Sequence, residues 1–369
     1  MKYLFINSVY GVRSTGKIIQ MQCRRLQEQG HICAVAYGRA TAEDPSVQQI
    51  RIGTAVDSAA HGLLSRVLDL HGFGSRLATE RFLKEVEAYQ PDVIWMHNLH
   101  GYYINISVLF RWLKQHPEIQ KYWTLHDCWA FTGHCANFLM AGCEKWRTGC
   151  HDCPQKGTYP QTIGPDRSRG NFKTKQAVFS GVENLTLVTP SEWLAGLTRE
   201  SFLREYPVKV IPNQIDTSVF HPVESNLRET LGLGGTFVVL GIAIGLDESK
   251  GFSDFCRLRE RLDDSFSILL VGLTPRQIES LPKGIRGLER TKDQQELVKL
   301  YTMSDVFVNP THQDNYPTVN LEARACGIPV VTYDVGGSPE SAGGAHVVPE
   351  GDIEALAAEL EAIRAHRTQ

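Results

Sequence analysis

The sequence predicts an α/β protein made of two doubly wound, parallel-sheet domains. Short β-branched runs alternate with helical apolar patterns along the whole chain, as βαβ units require. Polar loops bearing glycine or histidine follow several of these strands, at the edge where open parallel sheets bind ligands. The 369 residues also exceed what one hydrophobic core usually holds.

In the first half, Lys2–Asn7 reads as a strand, Gly16–Gln29 as a helix stopped by Gly30, and Ile32–Tyr37 as a second strand. Val56, Ala59, Ala60, Leu63, Leu64, Val67 and Leu68 recur at helical spacing, a stripe that suits either a core or a surface contact. Val93–Met96 and Tyr122–Leu125 are apolar strands that run into histidine-bearing loops, HNLHG and HDCW. Leu185–Thr189 and Val208–Ile211 close this half, and IDTSVFHPVE (215–224) has the polar, proline-containing character of a linker. The expected domains are therefore 1–215, with a Cys-rich loop at 128–157, and 216–369. The second set opens with strands Thr236–Ile242, Phe266–Val271 and Val306–Val308. It ends in a helix within 352–369, a candidate to pack back on the first domain.

Composition bounds the function. Hydrophobic content of 42% and charge of 21% are those of an ordinary soluble globular protein. No apolar run reaches the length of a membrane span. The N-terminal MKYLFINSVYG has too short an apolar run for a signal-peptide core, so a cytoplasmic protein is expected, with its nine Cys as thiols or metal ligands. Charge is unevenly shared: residues 1–215 hold 24 Lys and Arg against 18 Asp and Glu (+6), and 216–369 hold 14 against 23 (–9). That asymmetry points to an anionic surface or acceptor for the first half; peripheral contact with the inner face of a membrane and no nucleic-acid partner are expected.

Residues 308–340, VNPTHQDNYPTVNLEARACGIPVVTYDVGGSPE, are the most informative stretch. Strand Val306–Val308 leads into the polar loop Thr311–Asn315. Pro317 is expected at the first helical position, Gly327 ends the helix, and Val330–Tyr333 is the next strand. The helix N-terminus aims N–H groups and positive dipole at an anion such as a diphosphate. Asp314 in the loop can accept from sugar hydroxyls, and Glu322 on the helix suits the vicinal hydroxyls of a ribose. The spacing fits a nucleoside diphosphate sugar.

This run resembles the Glu-x7-Glu signature of glycosyltransferase family 4, including the ACGIPVV tail and the GGSPE loop. The resemblance covers nearly the whole chain and is closest to family members of bacterial capsule, colanic-acid and exopolysaccharide assembly. It implies a GT-B fold, two Rossmann-like domains facing across a cleft. It also implies retaining transfer from a nucleotide sugar to a saccharide or lipid-linked acceptor, without a catalytic metal ion or a protein nucleophile. Asp314 stands where the family usually has Glu, one methylene shorter, which bears on the identity of the sugar. Donor contacts implied by the resemblance fall on Gly16, Lys250, Asp314, Asn315, Tyr316, Pro317, Thr318 and Glu322. Lys250, in DESKGF, resembles the Lys of the family's Lys-Gly pair, which neutralises the donor diphosphate; the Arg often found about five residues earlier is replaced by Gly245 or its neighbours. His126 matches the His near the transferred sugar, with Asp127 expected to fix its tautomer. Ser14 and Thr15 resemble the loop after the first strand; His97 and His100 are acceptor-side candidates. Asn213 and Gln214, in IPNQID, resemble the family's hinge.

Two alternatives compete. GVRSTGKI matches most of a phosphate-binding loop (Gly11, Gly16, Lys17), which would make a kinase or nucleotidase, but Ile18 stands where that loop needs a magnesium-binding hydroxyl. A non-catalytic nucleotide-sugar-binding protein is the other, and Asp314 is the feature in its favour. Separately, Cys135, Cys143, Cys150 and Cys153 are spaced C-x7-C-x6-C-x2-C, a candidate structural zinc site. His134 and His151 are substitute ligands, Cys128 is a spare, and reduced thiols are the alternative. The loop reads as poor in apolar residues, so something must order it.

Overall fold

Short apolar strands alternating with amphipathic helices close into two parallel sheets. The computed structural model describes residues 1–242 and 248–367. They divide into two units, Met1–Pro212 and Asn213–Gln369, three residues before the division expected from sequence.

The first unit runs β1 (Lys2–Tyr10), α1 (Arg13–Glu28), β2 (Ile32–Thr41), β3 (Gln48–Arg51), α2 (Ala55–Leu68), α3 (Arg76–Tyr89) and β4 (Val93–Met96). It continues through α4 (Ile106–Gln115), β5 (Gln120–Thr124), α5 (Ser168–Phe179), β6 (Leu185–Thr189), α6 (Glu192–Glu200) and β7 (Val208–Val210). The sheet is ordered β3-β2-β1-β4-β5-β6-β7, with every pairing parallel. Its strands are near-continuous apolar runs because both faces are covered. Leu4, Ile6, Met96, Trp123 and Leu187 are all within 1% of full burial. The order reverses between β1 and β4, so the ligand-binding edge lies at their carboxyl ends. Asn7, buried in β1, marks that point: its side chain donates to the Val9 carbonyl (2.7 Å) and accepts the Asn98 N–H (3.2 Å), and the β1–β2 register shifts beside it.

The second unit runs α7 (Leu227–Thr230), β8 (Phe237–Ile242), α8 (Phe252–Arg261), β9 (Phe266–Val271), α9 (Pro275–Glu279), β10 (Ile285–Leu288) and α10 (Gln294–Met303). Then come β11 (Val306–Asn309), α11 (Thr318–Ala325), β12 (Val330–Tyr333), α12 (Ser338–Ala342), β13 (His346–Val348) and α13 (Ile353–Arg367). The order β10-β9-β8-β11-β12-β13 repeats the first unit's plan, and it reverses between β8 and β11. The terminal helix α13 buries Ile353, Leu356, Leu360 and Ile363, and it packs on α8, β12 and β13 of its own unit.

Three sequence expectations change, and one left open, the face of the α2 stripe, is decided. Only Gly11 and Val12 separate β1 from α1, so Arg13 to Lys17 are already helical and no loop is long enough to wrap a phosphate; the kinase alternative falls on geometry. Helix α2 turns its apolar stripe outward: Val56 and Leu63 are 76% and 66% exposed, while His61 and Ser65 face the interior. The segment 215–224 is no free tether, because Phe220 is buried in the second unit's core with Ile215, Val219 and Val223 against it. The 128–157 loop is not poor in apolar contacts either. Trp129, Phe131, Phe138 and Trp146 are buried in the first unit's core. Among the described residues no helix is long and apolar enough to cross a membrane.

Candidate functional site

In the second unit the switch point brings two loops together. Parallel pairing of β8 with β11 (Val239 opposite Val306, Leu240 opposite Phe307) sets the loop after β8 beside the loop after β11. Thr311 Oγ1 and the His312 N–H both donate to the Ser249 carbonyl, at 3.0 and 2.9 Å. Gly251 lies at φ +73, and a Cβ there would fall 2.2 Å from the Pro310 carbonyl oxygen, so the Lys-Gly step needs its glycine. The result is a direct ion pair: Lys250 Nζ donates to Asp314 Oδ2 at 2.6 Å, with both side chains between a fifth and a third exposed. Sequence reasoning gave these two groups separate tasks, diphosphate and sugar; the fold makes them partners. Gly245 lies outside the described residues.

Helix α11 rises from this pair. Pro317 is its N-cap rather than its first residue, in extended conformation, and no side chain caps the first turn. A side-chain cap would occupy N–H groups that an anion can otherwise take. Asn315 and Pro317 are buried, and Tyr316 and Thr318 are partly exposed beside them. Asn315 N–H donates to Asp314 Oδ1 (2.9 Å), and the Tyr316 carbonyl accepts from Asn213 (3.4 Å). Glu322 Oε2 accepts a hydrogen bond from Tyr301 OH (3.1 Å), a fully buried phenol on α10. Burial and the Glu322 charge push the Tyr301 pKa far up, so it remains a donor.

Several supporting residues escape sequence reasoning. Buried Asn320 accepts from Asn309 (2.9 Å) and donates to Ser341 Oγ (2.8 Å) and Ser338 Oγ (3.2 Å), tying β11, α11 and α12 together. Thr332 joins this network through Ser338 (2.7 Å). His312 bridges Asp254 (2.8 Å) and Glu350 (2.7 Å); burial opposes its charge, but the two carboxylates raise its pKa. Gly336 sits at φ +59 with the Asp314 carbonyl where a Cβ would be, so the GGSPE loop is pressed against the backbone of Asp314. The only sequence signal was polar residues in otherwise apolar strand and helix positions.

The first unit's edge gathers histidines. His97 Nδ1 lies 3.0 Å from His126 Nε2 with the rings stacked, so one nitrogen donates and the other accepts. Burial lowers the His126 pKa to about 4, against the pull of Asp127, and holds that of His97 well below its ordinary value; both are neutral at physiological pH. Asp127 does not hydrogen-bond His126 as expected. It accepts from His100 Nε2 (2.8 Å) and from the Trp129 N–H (2.9 Å), and His100 Nδ1 meets Tyr159 OH at 3.0 Å. Burial raises the Asp127 pKa, but His100 and the Trp129 N–H more than offset it, leaving a carboxylate below its usual range. Ser14 is exposed in the first turn of α1, Thr15 lies 3.5 Å from Asn7, and Gly16 is buried against Gly11 and Val9.

Comparison with known proteins bears on both units. Residues 238–366 match the family model of glycosyl transferases group 1. The chain is 28% identical over 334 residues to the putative colanic acid biosynthesis glycosyl transferase WcaC of Escherichia coli (strain K12), covering 86% of this chain and 79% of that protein. Among solved structures, sucrose-phosphate synthase from Thermosynechococcus elongatus aligns at TM-score 0.69 and 18% identity, over 100% of this chain and 90% of that one. Anabaena Alr3699/HepE in complex with UDP-glucose aligns at 0.64 and 15%, over 100% and 91%.

Buried neutral histidines have a pH consequence. His61, whose Nε2 accepts the Gly72 and Gly74 N–H groups, has its pKa lowered by burial to about 4, as has His126. Their folded values lie below the unfolded value of about 6.5. Protons therefore favour the unfolded chain as pH falls from about 6.5 to 4, and this stability is fully present above that window. Urea unfolding at a series of pH values should show stability falling across it, by on the order of 3 kcal/mol for His61 alone. A flat profile between pH 6.5 and 5 contradicts the neutral-histidine assignment.

Proposed function

We propose that the chain, whose residues 238–366 match group 1 glycosyl transferases, is a glycosyltransferase of the GT-B fold that moves a hexose-type sugar, with retention, from a nucleoside diphosphate sugar onto a growing lipid-linked saccharide of a bacterial surface polysaccharide. The observation that carries this reading is the Lys250–Asp314 pair at the foot of α11. The pair is partly exposed and is itself one charge-assisted hydrogen bond. Each hydrogen bond to a charged group gives roughly 1.5–3 kcal/mol, and a diphosphate offers Lys250 more negative charge and several oxygens at once, so it takes Lys250 over. Asp314 is thereby released to accept from hydroxyls of the sugar. Glu322, held by Tyr301, takes the ribose hydroxyls.

Transfer then needs charge stabilisation more than acid–base chemistry. The bond from sugar C1 to the diphosphate oxygen breaks, and its electron pair stays on the diphosphate. Lys250 and the first-turn N–H groups of α11 stabilise that charge. The acceptor hydroxyl oxygen bonds to C1 from the same face, and its proton passes to the departing diphosphate oxygen. No residue serves as nucleophile. Neutral His126 offers a hydrogen bond to a sugar hydroxyl without competing for the diphosphate. His97, His100, Ser14 and Thr15 are acceptor-side groups, and Asp127 orients His100.

The exposed stripe on α2 supports a lipid-linked acceptor met at an anionic bilayer. Val56, Leu63 and Val67 point outward, Leu77 of α3 is 64% exposed, and Arg66, Arg76 and Arg81 are exposed nearby in a unit of charge +6. Apolar contact and basic charge together give peripheral membrane binding.

Two outcomes are expected. Transfer assays over a panel of nucleotide sugars should show turnover with one donor, with kcat about 100-fold lower in Lys250→Ala and kcat/KM reduced in Glu322→Ala. Unaltered turnover in Glu322→Ala, or no transfer in any donor–acceptor pair, removes the assignment. Vesicles containing phosphatidylglycerol should co-sediment the protein at low salt, less so for the Leu63→Glu, Val67→Glu variant. Absence of binding at low salt, where screening is weakest, counts against the membrane surface.

A further inference from the structure

The first unit holds a cluster of thiols that glycosyl transfer does not use. Cys135, Cys143, Cys150 and Cys153 come from separate points of the long loop between β5 and α5, whose regular structure is two single turns, Trp129–Phe131 and Lys145–Arg147. All four line one cavity of about 10 Å3, roughly the space of one water or one ion. Cys135 and Cys153 are neighbours in it. The Gly133 N–H donates to Cys150 Sγ at 3.1 Å, the kind of outer contact that orients a ligating sulfur.

Two lysines brace the loop around this cavity. Lys145 lines it and donates to the His151 and Asp152 carbonyls (3.1 and 3.0 Å). Lys175, buried on α5, donates to the Trp129 and Thr132 carbonyls (2.7 and 3.1 Å).

We propose that Cys135, Cys143, Cys150 and Cys153 bind one structural zinc ion that pins this loop. Thiolate-only tetrahedral sites select zinc or iron–sulfur clusters, and a cavity of this size takes a single ion. His134 is not a ligand, since its Nδ1 is bonded to Asp69 (2.5 Å) in the buried interior. As the side chains stand, no three His, Cys, Asp or Glu among the described residues are closed around one point as a bound metal requires. Thiols that keep their protons have no force drawing four sulfurs together; the ion supplies it, and binding releases those protons. The loop begins at Cys128, next to Asp127, so the ion would steady the turn whose Trp129 N–H holds that carboxylate.

The test is metal analysis of the full chain purified without chelator. About one zinc per chain is expected, released when a mercurial titrates the thiols and read with a chromogenic chelator. Cobalt replacement should give the visible bands of a tetrahedral tetrathiolate site. Cys150→Ser with Cys153→Ser should lose the metal and lower Tm, while Cys256→Ser, on α8 of the other unit, should keep both. The mercurial release on the unmodified chain decides the matter even where the double variant fails to fold. Nine free thiols without metal, iron in place of zinc, a mass lowered by a disulfide, or zinc retained in the double variant would each overturn the proposal.

Discussion

Parallel pairing of β8 with β11 is the constraint on which the proposed donor site depends. It fixes where the chain leaves the sheet on either side of the switch point, and so it fixes Lys250 against Asp314. Everything else in that region holds the arrangement in place. Gly251 allows the backbone to close on Pro310, Gly336 allows the next loop to close on Asp314, and Asn320 ties the helix to its neighbours through a buried polar network. A network of that kind is worth having only when its members are satisfied, and Asn320 meets partners on β11 and α12.

The two units use one topology for opposite electrostatic ends. The second sheet ends in a paired charge, a partly exposed lysine held by Asp314. The first ends in histidines that burial keeps neutral, with one carboxylate, Asp127, held ionised by His100 and the Trp129 N–H. A neutral imidazole can share a hydrogen bond with a hydroxyl without adding positive charge to that edge. The first unit carries a net +6, and Arg66 on α2 and Arg76 and Arg81 on α3 are among its exposed basic groups.

Much of this was legible in the chain because it is local. Strands Val93–Met96, Leu185–Thr189, Phe266–Val271 and Val330–Tyr333 were readable to the residue from apolar runs bounded by turns. Gly327 ends α11 at φ +81 as a C-terminal glycine should. Failures came where the determinant is non-local. Pairing between Lys250 and Asp314, or between His97 and His126, joins residues 64 and 29 apart that only the sheet order brings together. The α2 stripe has helical periodicity, but periodicity cannot say which face the fold covers; His61 faces inward because two backbone N–H groups need its ring nitrogen. Tyr301 had no signal, being one more aromatic on an amphipathic helix until Glu322 is placed beside it.

The most direct test of the Lys250–Asp314 switch is calorimetric binding of nucleoside diphosphates, without sugar, to the unmodified chain and to Asp314→Asn and Lys250→Ala. If the carboxylate only parks the lysine until phosphate arrives, Asp314→Asn binds the diphosphate at least as tightly as the unmodified chain, and Lys250→Ala binds it about tenfold or more weakly, a loss of one charge-assisted contact. Equal loss of affinity in both variants would contradict the account, because Asp314 would then be part of the diphosphate site itself.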